Sequence, residues 1–232
     1  MGNLNYALIV AAGRGKRMKS DIPKQYMNIN GKPIIYYTLK AYSNCHDIDA
    51  IVLVVSPDDK EYVTKEIIEK YNIKKVTAVV PGGKERYNSV LNGLKAIKDC
   101  NIVLIHDGAR PFISSHIIKD GIRYAEKYGC SACGIQPKDT IKVVNSDRIS
   151  EKTLDRSKLV AIQTPQCFKY DIILKCHEKL RQEEGIATDD TMVAEKYGHE
   201  VFIYDGDYRN IKITTPEDLK IGEIMVQDFL YE

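Results

Sequence analysis

The chain has 232 residues, 44% of them apolar and 28% charged, as expected of a globular protein with one sizeable core. Its formal net charge is only +2, so no overall field favours nucleic acid or a membrane surface, and functional cations must be concentrated locally. No apolar run approaches the roughly 18 residues needed to cross a bilayer, and the first residues lack the pattern of a secretory leader, so the chain reads as soluble and cytoplasmic.

The first predicted strand, Tyr6–Ala11, runs into the loop AAGRGKRMKSDIPKQ, Ala11–Gln25. This loop carries Arg14, Lys16, Arg17, Lys19 and Lys24 against Asp21. It is not a dinucleotide fingerprint, because Met18 stands where a third glycine is wanted and Pro23 and Pro33 oppose an immediate helix. The P-loop ending of Gly-Lys-Ser/Thr is also absent. Two readings stay open: a solvated basic turn, or a phosphate-binding loop. In the second, the small residues Ala11, Ala12 and Gly13 let backbone N–H groups approach a polyanion.

Pro33–Ser43 is predicted helical, Ala50–Ser56 a strand, and Asp58–Tyr71 a helix with Val63, Ile67, Ile68 and Tyr71 on one face. The strand Val76–Val80 ends at Gly82-Gly83, a second backbone-lined turn, before the helix Tyr87–Ile97, whose first turn holds Asn88 and Ser89. The strand Ile102–His106 ends in Asp107-Gly108. A carboxylate at a strand's carboxyl tip can hold Mg²⁺ or simply cap a turn. His106 would point to the opposite face and reads as structural.

Ser114–Tyr128 is a predicted helix and Ser131–Pro137 a strand. Cys130 and Cys133 have redox or zinc spacing without further ligands, so the six cysteines read as unpaired thiols. Lys138–Phe168 breaks the rhythm. Thr140–Val144 and Leu159–Ile162, with a charged turn at Asn145–Asp147, predict a long hairpin that needs a partner to pack on. Ala187–Thr191 reads as a helix cap, and Val201–Asp205 as a strand. In Asn210–Leu219, Lys212 would face away from Ile211 and Ile213, toward a cleft. Thr215-Pro-Glu-Asp218 opens a helix to about Phe229. The alternation predicts a single α/β unit over 1–232, with a largely parallel sheet flanked by helices and 138–168 as a protruding β-arm.

Taken together, AAGRGKRM, PKQY, GGKERYNSV, HDGARPF, KDTIK, LDRSKLVAIQTPQCF, ATDD and NIKITTPEDL resemble the 2-C-methyl-D-erythritol 4-phosphate cytidylyltransferases nearly end to end. The related ribitol-5-phosphate cytidylyltransferases share the opening loop, TPQ and NIK. Asp155-Arg156 and Ala187–Asp190 favour the methylerythritol branch. The resemblance implies a Rossmann-like nucleotidyltransferase fold and a homodimer formed through the arm. The reaction would take CTP and a sugar-alcohol phosphate to a CDP-linked product and pyrophosphate, with Mg²⁺. It makes Arg17 and Lys24 the catalytic cations, and places Ala11, Ala12, Gly13, Gly15, Gly82, Ser89 and Gly108 around CTP. It puts Asp107 on the metal and Thr140, Arg156, Thr164, Thr188 and Lys212 around the sugar phosphate, with Arg156 coming from the neighbouring arm. A polyol-phosphate cytidylyltransferase of another acceptor is the near alternative, and a non-catalytic nucleotide-binding regulator the remote one.

Overall fold

The structure is a computed structural model and describes residues 4–13, 18 and 22–229. A seven-stranded sheet takes the spatial order β11-β7-β10-β6-β1-β4-β5. Its strands are β1 (Leu4–Ala11), β4 (Ala50–Val55), β5 (Val76–Pro81), β6 (Cys100–Asp107), β7 (Cys130–Ile135), β10 (Ala161–Lys169) and β11 (Phe202–Asp205). The pairings of β1 with β4 and β6, of β4 with β5 and of β7 with β11 are parallel. Only β10, among these strands, runs antiparallel to both its neighbours.

β1 and β4 lie inside the sheet and are covered on both faces, which is why they read as unbroken apolar runs rather than alternating ones. One face packs Ala7, Ile9, Leu53 and Leu104 on helices α1 (Ile34–Asn44) and α4 (Ser115–Tyr128). The other packs Leu8, Val52, Val103 and Phe168 on α3 (Arg86–Ala96), α5 (Tyr170–Gln182) and α6 (Asp190–Lys196). A small cluster of Ile29, Ile34, Phe112, Ile213 and Val226 ties the two-residue strands β2 (Asn28–Ile29) and β3 (Lys32–Pro33) to the carboxyl-terminal helix α7 (Pro216–Phe229). The reciprocal cap predicted for α7 is formed. Asp218 Oδ2 accepts from the backbone N–H groups of Thr214 and Thr215 at 2.8 and 2.9 Å.

The sequence expectations need correction in three places. The segment Asp58–Tyr71 is helical but not uniformly α. Pro57–Asp59 is a 3₁₀ turn, α2 (Lys60–Tyr62) is one turn, and Val63–Glu69 is π-helical with the Lys70 N–H bonded to the Lys65 carbonyl. Val63 and Ile67 are still buried, so the bonding pattern changes and the packing face does not.

The hairpin is shorter than expected. β8 (Lys142–Val144) pairs with β9 (Ser150–Thr153), not with Leu159–Ile162. Asn145 Oδ1 accepts from the N–H groups of Asp147 and Ile149, closing the turn early. Ala161 and Ile162 instead begin β10, which enters the main sheet. Lys212, finally, lies in no ladder, although Ile211-Lys212-Ile213 reads from its alternation as a short strand-like run.

Candidate active site

The carboxyl ends of β1, β5 and β6 meet at one sheet edge, where open α/β sheets bind ligands. Short bonds stitch their loops together. The Gly108 N–H donates to the Val10 carbonyl at 2.9 Å, the Gly82 N–H to the Val55 carbonyl at 2.7 Å, and Gln25 Nε2 to the Ala11 carbonyl at 2.7 Å. A cavity of about 320 Å³ opens between them. Ala11, Ala12, Gly13, Lys24, Ser89, Asp107 and Lys212 all line it.

Gly82 is needed for close approach. A Cβ there would collide with the Ala12 methyl and meet Ser89 Oγ at 3.0 Å. Gly108 is equally constrained, since a Cβ would sit 2.7 Å from Ile35 Cδ1. The Ser89 hydroxyl is already engaged, accepting from the Gly83 N–H and donating to the Glu85 carbonyl, so it shapes the turn beside the cavity.

Asp107 is nearly buried and surrounded by cations. Lys212 Nζ lies 2.8 Å from Oδ2, Arg110 Nε 3.7 Å from the same oxygen, and Arg86 Nε 3.5 Å from Oδ1. Burial alone would raise its pKa, but Arg86, Lys212 and Arg110 together overcome that and hold the carboxyl well below the usual range. Asp107 is therefore ionised at neutral pH.

Lys212 gets there by chain geometry. Asn210, fully buried, donates from Nδ2 to the Thr164 carbonyl at 2.9 Å, and the Ile213 N–H donates to the Ala109 carbonyl at 2.9 Å. With both neighbours pinned, Lys212 is turned to the cavity. Lys24 reaches across from the opening loop and donates to the Ile213 carbonyl at 3.0 Å.

Behind Asp107, the His106 ring is fully buried, and burial holds its pKa down to about 4. Nε2 faces the Arg110 carbonyl at 3.1 Å, and a carbonyl only accepts, so Nε2 carries the proton. Nδ1 then accepts from the Thr164 hydroxyl at 3.1 Å, whose oxygen accepts from the Asp107 N–H at 3.1 Å. His106 is structural, and buried Thr164 holds the Asp107 backbone from behind the cavity.

The other expected residues lie elsewhere. Thr140 and Arg156 are exposed on the arm, where Arg156 Nη1 donates to the Lys138 carbonyl. Thr188 is exposed just before α6. Arg17 and Gly15 lie outside the described residues. Sequence reasoning assigned no part to Arg86 or Arg110, and to Asp190 only a place in a helix cap. Arg86 bridges Asp107 and the fully buried Asp190, whose neighbour Asp189 is the true cap, accepting from the Met192 N–H at 2.9 Å. In Asp189-Asp190 both acids looked like capping groups, and only the fold separates them.

Among the described residues, no three His, Cys, Asp or Glu side chains converge on a metal position. The single ionised carboxylate suits Mg²⁺, which takes one or two protein carboxylates and finds its other ligands in phosphate oxygens and water. No helix among the described residues is long and apolar enough to cross a membrane.

Backbone amides at a sheet edge, with lysines and arginines around one carboxylate, can bind a nucleoside triphosphate and neutralise it during displacement. Fold and site together define a nucleotidyltransferase. The family model of IspD, 2-C-methyl-D-erythritol 4-phosphate cytidylyltransferase, matches residues 6–228, and the chain belongs to that family. It is 55% identical to the protein of that name from Clostridium novyi over 224 residues, covering 97% of each chain. It is 58% identical to that of Clostridium botulinum strain Loch Maree, over 96% of this chain and 97% of the other. Among solved structures, the 4-diphosphocytidyl-2C-methyl-D-erythritol synthase of Anaerococcus prevotii superimposes with a TM-score of 0.85 at 33% identity, covering 97% of this chain and 96% of that one.

Proposed function

We propose that the protein joins CTP to 2-C-methyl-D-erythritol 4-phosphate, giving the CDP-linked alcohol and pyrophosphate, in isoprenoid precursor synthesis. The observation that carries this reading is Lys212 held 2.8 Å from Asp107 inside a cavity walled by the opening loop, in a chain of this family.

The attacking atom is an oxygen of the acceptor's phosphate monoester. With a second pKa near 6 it is largely dianionic at neutral pH, so no general base is required. It attacks the α-phosphorus of CTP in line, and the bond to the bridging oxygen of pyrophosphate breaks. Catalysis then consists of positioning two polyanions and spreading their charge. Ala11, Ala12 and Gly13 offer the nucleotide close backbone approach, beside Gly82, Ser89 and Gly108. Lys24 and Arg17 neutralise the α-phosphate as the bond forms, and Lys212 receives the acceptor phosphate with Thr164 and Thr188 nearby. Asp107 would hold Mg²⁺, which when bound lowers the charge of the triphosphate.

The working form is a homodimer. Val143, Val144, Ile149 and Val160 are exposed on or beside the arm, and a two-stranded hairpin is marginal alone. A second copy covering it would bring Thr140 and Arg156 to its neighbour's site. All six cysteines are buried and unpaired, which suits a reducing compartment and supports a cytoplasmic location.

Pyrophosphate release across a panel of nucleoside triphosphates and acceptor phosphates tests the reading. Release is expected with CTP and methylerythritol phosphate. Preference for ribitol 5-phosphate would move the chain to the other branch, and CTP binding without release for any acceptor would make it a regulator.

A further inference from the structure

Behind Asp107 runs a line of buried charge. Arg86, the first residue of α3, places Nη1 2.7 Å from Asp190 Oδ2 and Nε 3.5 Å from Asp107 Oδ1. The other Asp190 oxygen faces His177 Nε2 at 3.1 Å. Gln166 on β10 accepts from the Asp190 N–H at 2.9 Å, so the α6 terminus carrying Asp190 is fixed to the sheet.

The two contacts of Arg86 are unequal. At 2.7 Å the Asp190 contact is a close ion pair, while the Asp107 contact at 3.5 Å is a looser one. Asp190 has no exposure and costs a great deal if left unpaired. It therefore claims the closer of the two ion pairs that Arg86 makes. Lys212 sits on Asp107 Oδ2 at 2.8 Å, so Oδ1 is the oxygen with the looser ion pair. Without Asp190, the guanidinium would swing onto Oδ1 and engage it directly.

We propose that Asp190 is a positioning residue: it holds Arg86 off Asp107, keeping Oδ1 available to a divalent cation. The proposal rests on the reading of Asp107 as the metal carboxylate. Arg86 lends Asp107 its field without occupying it, and His177 and Gln166 keep Asp190 in place.

The test measures the CTP dissociation constant by calorimetry, in EDTA and with Mn²⁺, and takes the ratio as the metal-dependent part of binding. Asp107→Asn must lower this ratio. If it does not, Asp107 holds no metal, and the underlying reading fails first. Asp190→Asn keeps shape but loses charge, and should lower the ratio about tenfold or more, as outer-sphere losses do. Affinity in EDTA should stay within about threefold of wild type, and in an Asp107→Asn background Asp190→Asn should add nothing. Removing the freed cation as well, in Arg86→Gln/Asp190→Asn, should restore the ratio. A folded Asp190→Asn protein with the wild-type ratio overturns the proposal, as does equal weakening with and without metal. If Asp190→Asn does not fold, Arg86→Lys decides. Its single ammonium goes to buried Asp190 and leaves Oδ1 freer, so the ratio stays at or above wild type, and a fall overturns the proposal.

Discussion

His106 and Asp107 are neighbours on one strand with opposite electrostatic fates. Burial keeps His106 neutral to about pH 4, whereas three cations keep Asp107 charged. An unfolded histidine takes its proton near 6.5, so as pH falls below 6.5 the unfolded chain gains a proton the native one refuses until about 4. Stability is thus lost over that window, by about 3 kcal/mol at most. Urea unfolding at pH 7 and pH 4 should show a loss smaller by about that amount in His106→Gln. Lys24→Ala and Arg17→Ala should each lower kcat at least about a hundredfold, as lost transition-state donors do, and near-normal turnover in a folded variant would remove that role. Lys212 was legible because a lysine between buried Ile213 and half-buried Ile211 has one way to point. The Arg86–Asp190 pair was not, because nothing in GGKERYNSV or ATDD says that residues so far apart in the chain share a buried bond.

At the scale of elements, the parallel strands were the easiest to see, being doubly covered and hence continuously apolar. β9, Ser-Glu-Lys-Thr, has no apolar pattern because all four residues are exposed, so the hairpin's second strand could not be found from hydrophobicity. β10 was missed for a different reason. Its Thr-Pro-Gln centre breaks the register between Ile162 and Gln166 and bonds the Asp107 backbone and the α6 terminus, so it lacks the look of a buried strand. The meeting of β5 and β1 at Gly82 gives an element-level prediction. Gly82→Ala should push the α3 turn from the opening loop, cost about 1–3 kcal/mol by overpacking, and weaken CTP binding in calorimetry. Unchanged stability and affinity would show that the two loops yield freely.

For the whole molecule, the apolar residues left exposed on the arm set the prediction. Val144→Asp with Ile149→Asp should turn the proposed dimer into a monomer by analytical ultracentrifugation. It should raise KM for the sugar phosphate while CTP affinity holds, because Arg156 would no longer reach its neighbour. A monomeric variant with normal KM for both substrates would place the acceptor site within one chain.

The reversed direction of β10 has a mechanical meaning. The other strands around the cavity deliver their ends to it after crossing the sheet, whereas this one starts there, straight from the arm. Arg156 and Thr164 thus lie on one short stretch of chain, and Thr164 bonds the Asp107 N–H directly. In the homodimer proposed above, any factor by which nucleotide tightens the contact between copies is the factor by which that contact tightens nucleotide binding.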